Sequence, residues 1–475
     1  MAYDLTFHPE QYVRKSIVVD GQEIAYRAYE NIVYVKKPVD VTFQSLNIYV
    51  PEGLANEKEA PIFFRNYVGG YMSTPPITPE PDQEPPFLGL GLRYALKEGL
   101  VAVSPGARGR EDVTDGKFTG KAPADIVDLK AAIRYLRHNA DVIPGNVDHI
   151  ISDGSSAGGA MSSLLGTTGN NVDYEPYLQE IGAADATDDV YAAICFCPII
   201  DLEHANAAYE WQFGCVHDFH MMKPRVVNNG LVFDPVDIHM DEEAAALSNQ
   251  FAVVFGEYIN TLHLRDPETG TDLKLDPETG KGSYLDYMIR QIGRAATEYL
   301  TALTEQEREE HLAERPWLSW DGSAAAVTPE QYEAYTRAVS RGKPCPSFDG
   351  FDCDITENSL FGTEYKKNNH FDDSLEQVSG HTGAYAVPDS IRKTIALMNP
   401  MKHIREPGNC VAPYFYIRVG ALDSNHSYSA AMNLALMLQN SGKCRDVNFK
   451  IAWMIDHDGD YSLDEMFQWI KDICR

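Results

Sequence analysis

The residues best suited to chemistry lie in Gly154-Ser155-Ser156-Ala157-Gly158, with Gly159 directly after. The pattern is G-x-S-x-G. It follows an apolar run, His149–Ser152, and opens a stretch of small residues, Ala160–Leu165, suited to a helix. Strand, sharp turn and helix in that order make a nucleophile elbow, which lifts the serine clear of the sheet. Glycines must flank it, because a Cβ there would strike the neighbouring strand and helix. Ser156 then stands at a helix N-terminus, where the dipole and free N–H groups favour a developing oxyanion. The chemistry implied is attack on a carbonyl carbon with a covalent acyl intermediate.

Such a serine needs a base, and the base needs an orienting carboxylate. The chain order that goes with this elbow is Ser, then Asp or Glu after a late strand, then His after the last strand. The run Tyr414–Val419 leads into Gly420-Ala421-Leu422-Asp423, and Val447–Met454 leads into Ile455-Asp456-His457-Asp458-Gly459. Asp423 and His457 therefore fall at C-terminal strand ends, where the sites of open parallel sheets gather. His426 precedes the last strand and reads as a pocket-lining residue. Asp456 and Asp458 flank the histidine, and sequence neighbours seldom reach its Nδ1 from a loop. A second oxyanion donor is expected from Val68-Gly69-Gly70-Tyr71 after an early strand, so the donor pair is Gly70 and Ala157.

The elements that position these groups follow from the hydrophobic pattern. Candidate strands are Ile24–Val35, Ser45–Val50, Pro61–Tyr67, Leu100–Ser104, His149–Ser152, Ala192–Cys197, Tyr414–Val419 and Val447–Met454. Helical spacing appears in Ile126–His138, Ser427–Asn440 and Leu463–Ile473. Alternation of this kind predicts an α/β protein with a mostly parallel, eight-stranded sheet. The alternation stops at about Leu202 and resumes after Asn399. Between them lie charged helical patterns such as Thr304–Arg315 and no long β-branched run. A repeat, Asp266-Pro-Glu-Thr-Gly270 and Asp276-Pro-Glu-Thr-Gly280, reads as two tight turns with Thr271–Leu275 as a short hairpin strand. Its acidic residues lack the ligand spacing of a calcium loop. The organisation predicted is a core of residues 1–201 and 400–475 carrying an inserted cap of residues 202–399.

Composition narrows the function. Of 475 residues, 40 are Lys or Arg and 70 are Asp or Glu, a net charge of −30. Such a field repels nucleic acid and disfavours substrates with several phosphates. Apolar runs of membrane-spanning length are missing, so no membrane partner is expected. The first residues show neither a basic nor an apolar leader pattern. The eight cysteines include no CxxC pair, and we read them as reduced and structural, which points to the cytoplasm. Acyl transfer of this kind needs no metal or organic cofactor, and no cluster of His, Cys and acidic residues asks for one. The partner is a small molecule. The oligomeric state is left open.

Several longer motifs carry a resemblance. They are Val68–Tyr71, Arg108-Gly109-Arg110, Ala122-Pro123-Ala124 with Lys130–Tyr135, Gly154–Gly159, Ala208-Tyr209-Glu210-Trp211-Gln212-Phe213, Glu357–Gly362, and His457 with Gly459-Asp460-Tyr461. With these the chain resembles the bacterial tannases, serine esterases of the α/β-hydrolase fold that cleave galloyl esters. The resemblance spans nearly the whole length and implies a large lid inserted after the sixth strand. It implies the triad Ser156, Asp423 and His457, and a galloyl subsite using Lys343 and Glu357 from the lid. A carboxylate accepts phenolic O–H bonds and an ammonium donates to the remaining oxygen, so these types suit the ring. The family's second aspartate, two residues after that of the triad, is Asn425 here. An amide offers one acceptor oxygen and no charge, which opens the alternative of a dihydroxy-, methoxy- or hydroxycinnamoyl ester. Two other readings use the same fold: a serine peptidase gripping a peptide N-terminus with Glu203 or Glu210, and a non-catalytic binding protein. The second ordinarily loses a triad member, and this chain has all three.

Overall fold

The computed structural model describes residues 2–80, 88–227 and 230–475. Nine strands form one sheet: β1 (Val13–Val19), β2 (Gln22–Val33), β3 (Ser45–Pro51), β4 (Pro61–Arg65), β5 (Val101–Pro105), β6 (Asn146–Ser155), β7 (Ala192–Phe196), β8 (Tyr414–Gly420) and β9 (Asp446–Ala452). Their order is β1-β2-β3-β5-β4-β6-β7-β8-β9. The first three pairings are antiparallel and every later one is parallel. The sequence reading of eight strands missed β1. Val13-Arg-Lys-Ser-Ile-Val-Val buries only Ile17 and Val19, and its exposed positions mix Val13 and Val18 with Arg14 and Ser16, so no continuous buried run marks it.

The central strands are covered on both faces, so they read as unbroken apolar runs. Alternate residues point to opposite sides. Ile62, Phe64, Ile150, Ala193, Phe415 and Ile417 join the larger apolar cluster with α2 (Ala124–His138), α3 (Ala157–Thr167) and α4 (Tyr428–Ser441). Phe63, Ile151, Ile194 and Tyr416 face α1 (Leu90–Lys97) and α5 (Leu463–Ile473) instead. This three-layer sandwich is the α/β-hydrolase arrangement, and it brings the C-terminal ends of β4, β6, β7, β8 and β9 to one edge.

Between β7 and β8 the chain leaves the sheet. It builds two long helices, Glu242–Thr261 and Ser283–Ala302, several shorter ones, and a hairpin of Asp218–Val227 with Gly230–His239. That hairpin was not expected. Its cross-strand pairs His220–Asp237, His239–Asp218 and Arg225–Asp234 are exposed, so it carries no long apolar run to announce it. The helix expected over Thr304–Arg315 is Glu305–Ala313, with Thr304 and Glu307 closing a capping box. Both Asp-Pro-Glu-Thr-Gly copies are turns: Gly270 N–H donates to Asp266 O and Gly280 N–H to Asp276 O, each at 2.8 Å. Thr271–Leu275 is not a strand; only one bridge, Arg265 to Asp272, forms there, because Leu275 N–H is taken by the Asn260 side chain. Phe255, Tyr284 and Met288 of the inserted segment belong to the same apolar cluster as Leu434 of α4, so the insertion is packed onto the core. Among the described residues no helix is long and apolar enough to cross a membrane.

Candidate active site

Local backbone constraints make the elbow. Ser156 has φ 59° and ψ −123°, a region that non-glycine residues occupy only where the surroundings force them. The surroundings are close. A Cβ on Gly154 would lie 2.2 Å from Gly158 O, and one on Gly159 would lie 2.4 Å from Phe196 O. Asn66, just past β4, fastens the turn by donating through Nδ2 to Asp153 O at 2.9 Å and to Gly158 O at 3.1 Å. Ser156 is thereby fixed at the start of α3.

His457 arrives from the loop after β9. Its Nε2 lies 2.9 Å from Ser156 Oγ, and its Nδ1 lies 2.9 Å from Asp423 Oδ2. Asp423, after β8, is 1% exposed, and its other oxygen accepts the Asn425 N–H at 2.8 Å. Burial opposes a charged imidazole, but the Asp423 carboxylate outweighs it and holds the His457 pKa well above the usual 6.5. The flanking aspartates are occupied otherwise: Asp456 accepts the N–H of His457 and Asp458 that of Gly459, each at 2.7 Å.

The loop Val68–Tyr71 passes over the first turn of α3, with Val68 O 3.0 Å from where a Gly158 Cβ would be. Gly70 takes φ 54°, and its carbonyl accepts from Arg110 Nε at 2.9 Å. Tyr71 anchors the loop by donating its O–H to Ile199 O at 2.7 Å. Ala157, the first residue of α3, has an N–H with no acceptor inside the helix.

From the inserted segment, Lys343 stands half-buried with Nζ 3.4 Å above the Phe348 ring. Burial lowers its pKa against the pull of Glu357 and Asp423. Glu357 is 5% exposed, and its Oε2 has no hydrogen-bond partner among the described residues. Asn425 is exposed. His426 is buried with both ring nitrogens used: Nε2–H donates to Ile200 O and Nδ1 accepts from Ser427 N–H, each at 2.9 Å. Burial pushes its pKa down to about 4, so it is a neutral ring, packed beside Phe348. Glu203 and Glu210 are not free to grip a peptide N-terminus. Lys402 pairs with Glu203, and Arg341 pairs with Glu210 at 2.6 Å, both side chains fully buried.

Two residues here escaped the sequence reading. Cys197, in φ 36° just past β7, sends its thiol to Asp458 O at 3.2 Å and lies against His457 and Asp423. Its apolar run hid it. Tyr209 links the two halves of the site: its O–H donates to Ser424 O at 2.8 Å and accepts from the N–H groups of Gly342 (2.8 Å) and Lys343 (3.1 Å).

Comparison with known proteins decides the family. A tannase from Fusobacterium nucleatum is 38% identical, with 100% of both chains aligned and a TM-score of 0.88. The chain belongs to the bacterial tannase family. Tannin acyl hydrolases solved in complex with ethyl gallate and with 3,4-dihydroxybenzoate are each 35% identical over 99% of both chains, with TM-scores of 0.89 and 0.88. The family model BD-FAE matches residues 97–223, which includes the elbow of this tannase. Esterase LipQ of Mycobacterium tuberculosis is 34% identical over 23% of this chain and 25% of its own. That match spans only a quarter of the curated relative. As a member of the family, the protein is a carboxylic-ester hydrolase.

Proposed function

We propose that this tannase hydrolyses galloyl and related phenolic-acid esters through an acyl-enzyme on Ser156. The observation that carries the mechanism is the unbroken line of hydrogen bonds from Asp423 through His457 to Ser156 Oγ, at 2.9 Å each. His457 Nε2 takes the hydroxyl proton as Ser156 attacks the ester carbonyl, and Asp423 holds the imidazole in the right tautomer and stabilises its charge. The N–H groups of Ala157 and Gly70 donate hydrogen bonds to the oxyanion. His457 then gives its proton to the departing alcohol. Water, activated by the same imidazole, releases the acid.

The acyl ring is read as lying between the core and the inserted segment, which serves as the lid. Glu357 brings a buried carboxylate oxygen with an open acceptor site, which suits a phenolic O–H. Lys343 lies within electrostatic reach of both Glu357 and Asp423, which supports a ring-binding subsite beside the reacting groups. His426 and Phe348, with ring centroids 4.9 Å apart, supply apolar faces. The complexes of related tannases with ethyl gallate and 3,4-dihydroxybenzoate support a small phenolic ligand. A hydroxycinnamoyl preference is the second reading, motivated by Asn425 standing where a charged partner would be.

The test is kcat/KM for methyl gallate, methyl protocatechuate and methyl ferulate, with Ser156→Ala alongside. Gallate leading by about tenfold supports the galloyl reading. Ferulate leading moves the specificity to hydroxycinnamoyl esters. Activity persisting in Ser156→Ala overturns the mechanism.

A further inference from the structure

Beneath the site, out of reach of any substrate, sits a charged cluster that the hydrolysis does not consume. Arg65, at the end of β4, is 4% exposed. Its Nη1 lies 3.0 Å from Asp153 Oδ2, and its Nη2 lies 3.1 Å from Asp460 Oδ2. The same Nη2 lies 3.5 Å from Ser155 Oγ, and the guanidinium stands over the Tyr67 ring at 5.1 Å. Asp153 precedes Ser156 by three residues on β6, and Asp460 follows His457 by three. One planar fork therefore spans the stalk of the nucleophile and the stalk of the base.

The backbone around the cluster is packed to match. A Cβ on Gly459 would lie 2.5 Å from Ser155 Cβ, so the histidine loop lies directly on the elbow. Asp460 takes φ 56°, and a Cβ on Gly91 of α1 would lie 3.5 Å from both of its carboxylate oxygens. Stability gives little reason for the arrangement. Burying two carboxylates on one guanidinium costs desolvation that an apolar trio of similar volume avoids. Burial also raises the Asp153 pKa to about 7 against the pull of Arg65. What the cluster does supply is a fixed geometry between two loops that come from distant parts of the chain.

We infer that Arg65 is a positioning residue: by bridging Asp153 and Asp460 it clamps the His457 loop to the elbow and sets the distance over which the Ser156 proton moves. This rests on Ser156 and His457 acting as nucleophile and base. Misplacement of about 1 Å costs on the order of a hundredfold in rate, so loosening the clamp acts on kcat.

The experiment compares Asp460→Asn, Asp460→Glu and Arg65→Lys with the wild type on methyl gallate. Active sites are counted with a serine-directed fluorophosphonate, and gallate binding is measured by calorimetry. The expected result for Asp460→Asn is a fall in kcat per titrated site of about tenfold to a hundredfold, with KM and the gallate Kd within about twofold. Arg65→Lys, which cannot reach both carboxylates, moves the same way, and Asp460→Glu recovers part of the loss. A kcat per titrated site in Asp460→Asn within about twofold of wild type overturns the clamp, as does a fall matched by weaker gallate binding. Should Arg65→Lys fail to fold, the isosteric Asp460→Asn decides alone. Ser156→Ala separates the two ideas: activity remaining there sinks the nucleophile assignment, whereas a dead Ser156→Ala beside an unaffected Asp460→Asn sinks only the clamp.

Discussion

The elbow and the inserted segment hold their polar groups in different ways. At the elbow the backbone itself sets the geometry. Gly154, Gly158 and Gly159 are packed so closely that no side chain fits, and Ser156 is forced to φ 59°. In the inserted segment side chains do the holding. Arg341 and Glu210 are fully buried against each other, with Ser248 Oγ completing the pair at 2.6 Å from Glu210. Tyr209 then fastens the Lys343 backbone to the Asp423 loop. A site fixed by backbone loses function when an atom is added. A site fixed by ion pairs loses stability when one partner is removed. Rate and stability should therefore separate when the two regions are attacked.

The largest effect belongs to the core. Asp423→Asn should cost about 10⁴-fold in kcat, because the amide favours the wrong imidazole tautomer. It should also move the pH profile. In the wild type Asp423 favours the protonated imidazole, raising the His457 pKa well above 6.5. The base works only when neutral, so activity is lost as pH falls through that raised value. Removing the carboxylate removes the main upward influence, and the acid limb of kcat/KM should shift to lower pH. A limb that stays in place means that another group sets it.

Gly154→Ala comes next. Its new methyl would meet Gly158 O at 2.2 Å, so strand or helix must shift and carry Ser156 along. We expect kcat to fall about a hundredfold or more, with a fall in the fraction of sites titrated by a fluorophosphonate. Near-normal turnover would show that the elbow tolerates more than backbone packing implies.

Arg341→Met tests the other region. It strands the Glu210 carboxylate at full burial, and breaking a buried pair this way costs about 3–5 kcal/mol. Thermal or urea denaturation should show the loss. Below the unfolding transition, kcat per titrated site should stay within about tenfold of wild type, since the Ser156–His457–Asp423 line involves none of these atoms. A larger loss in rate than in stability would erase the distinction between the two regions.

The same distinction explains what the sequence could tell. The elbow was legible because its constraint is local: glycines at fixed offsets around a serine, between an apolar strand and small residues. Asp423 and His457 were legible because chain order and strand ends restrict them. The parallel strands showed as apolar runs, whereas β1 did not, its Arg14 exposed at the sheet edge and its Lys15 paired with Glu30 and Glu80. Arg65 and Arg341 gave no signal, and Tyr209 stood in a quoted motif without a role. The partners that give them their places lie 88 or more positions away, beyond what a local window shows. Cys197 is free and buried, and its place in the site was hidden for a related reason. The apolar strand that carries it says burial, and only the fold shows that the thiol ends beside His457.

The smallest change sharpens the comparison where the two regions meet. Asn425 is exposed, and its backbone N–H already supports Asp423 Oδ1 at 2.8 Å. Asn425→Asp leaves that bond in place and adds a carboxylate at the rim of the pocket. A charged acceptor strengthens a hydrogen bond to a phenolic O–H by about 1 kcal/mol, and water at an exposed position screens part of it. The ratio of kcat/KM for methyl gallate over methyl protocatechuate should therefore rise by only about threefold to fivefold. Stability should stay within about 0.5 kcal/mol, as for other surface changes. An unchanged ratio would show that position 425 does not reach the third ring hydroxyl. A tenfold rise would show that the rim closes over the ring and excludes water when substrate is bound, making the loop after β8 as exact a partner for the ring as the elbow is for the ester.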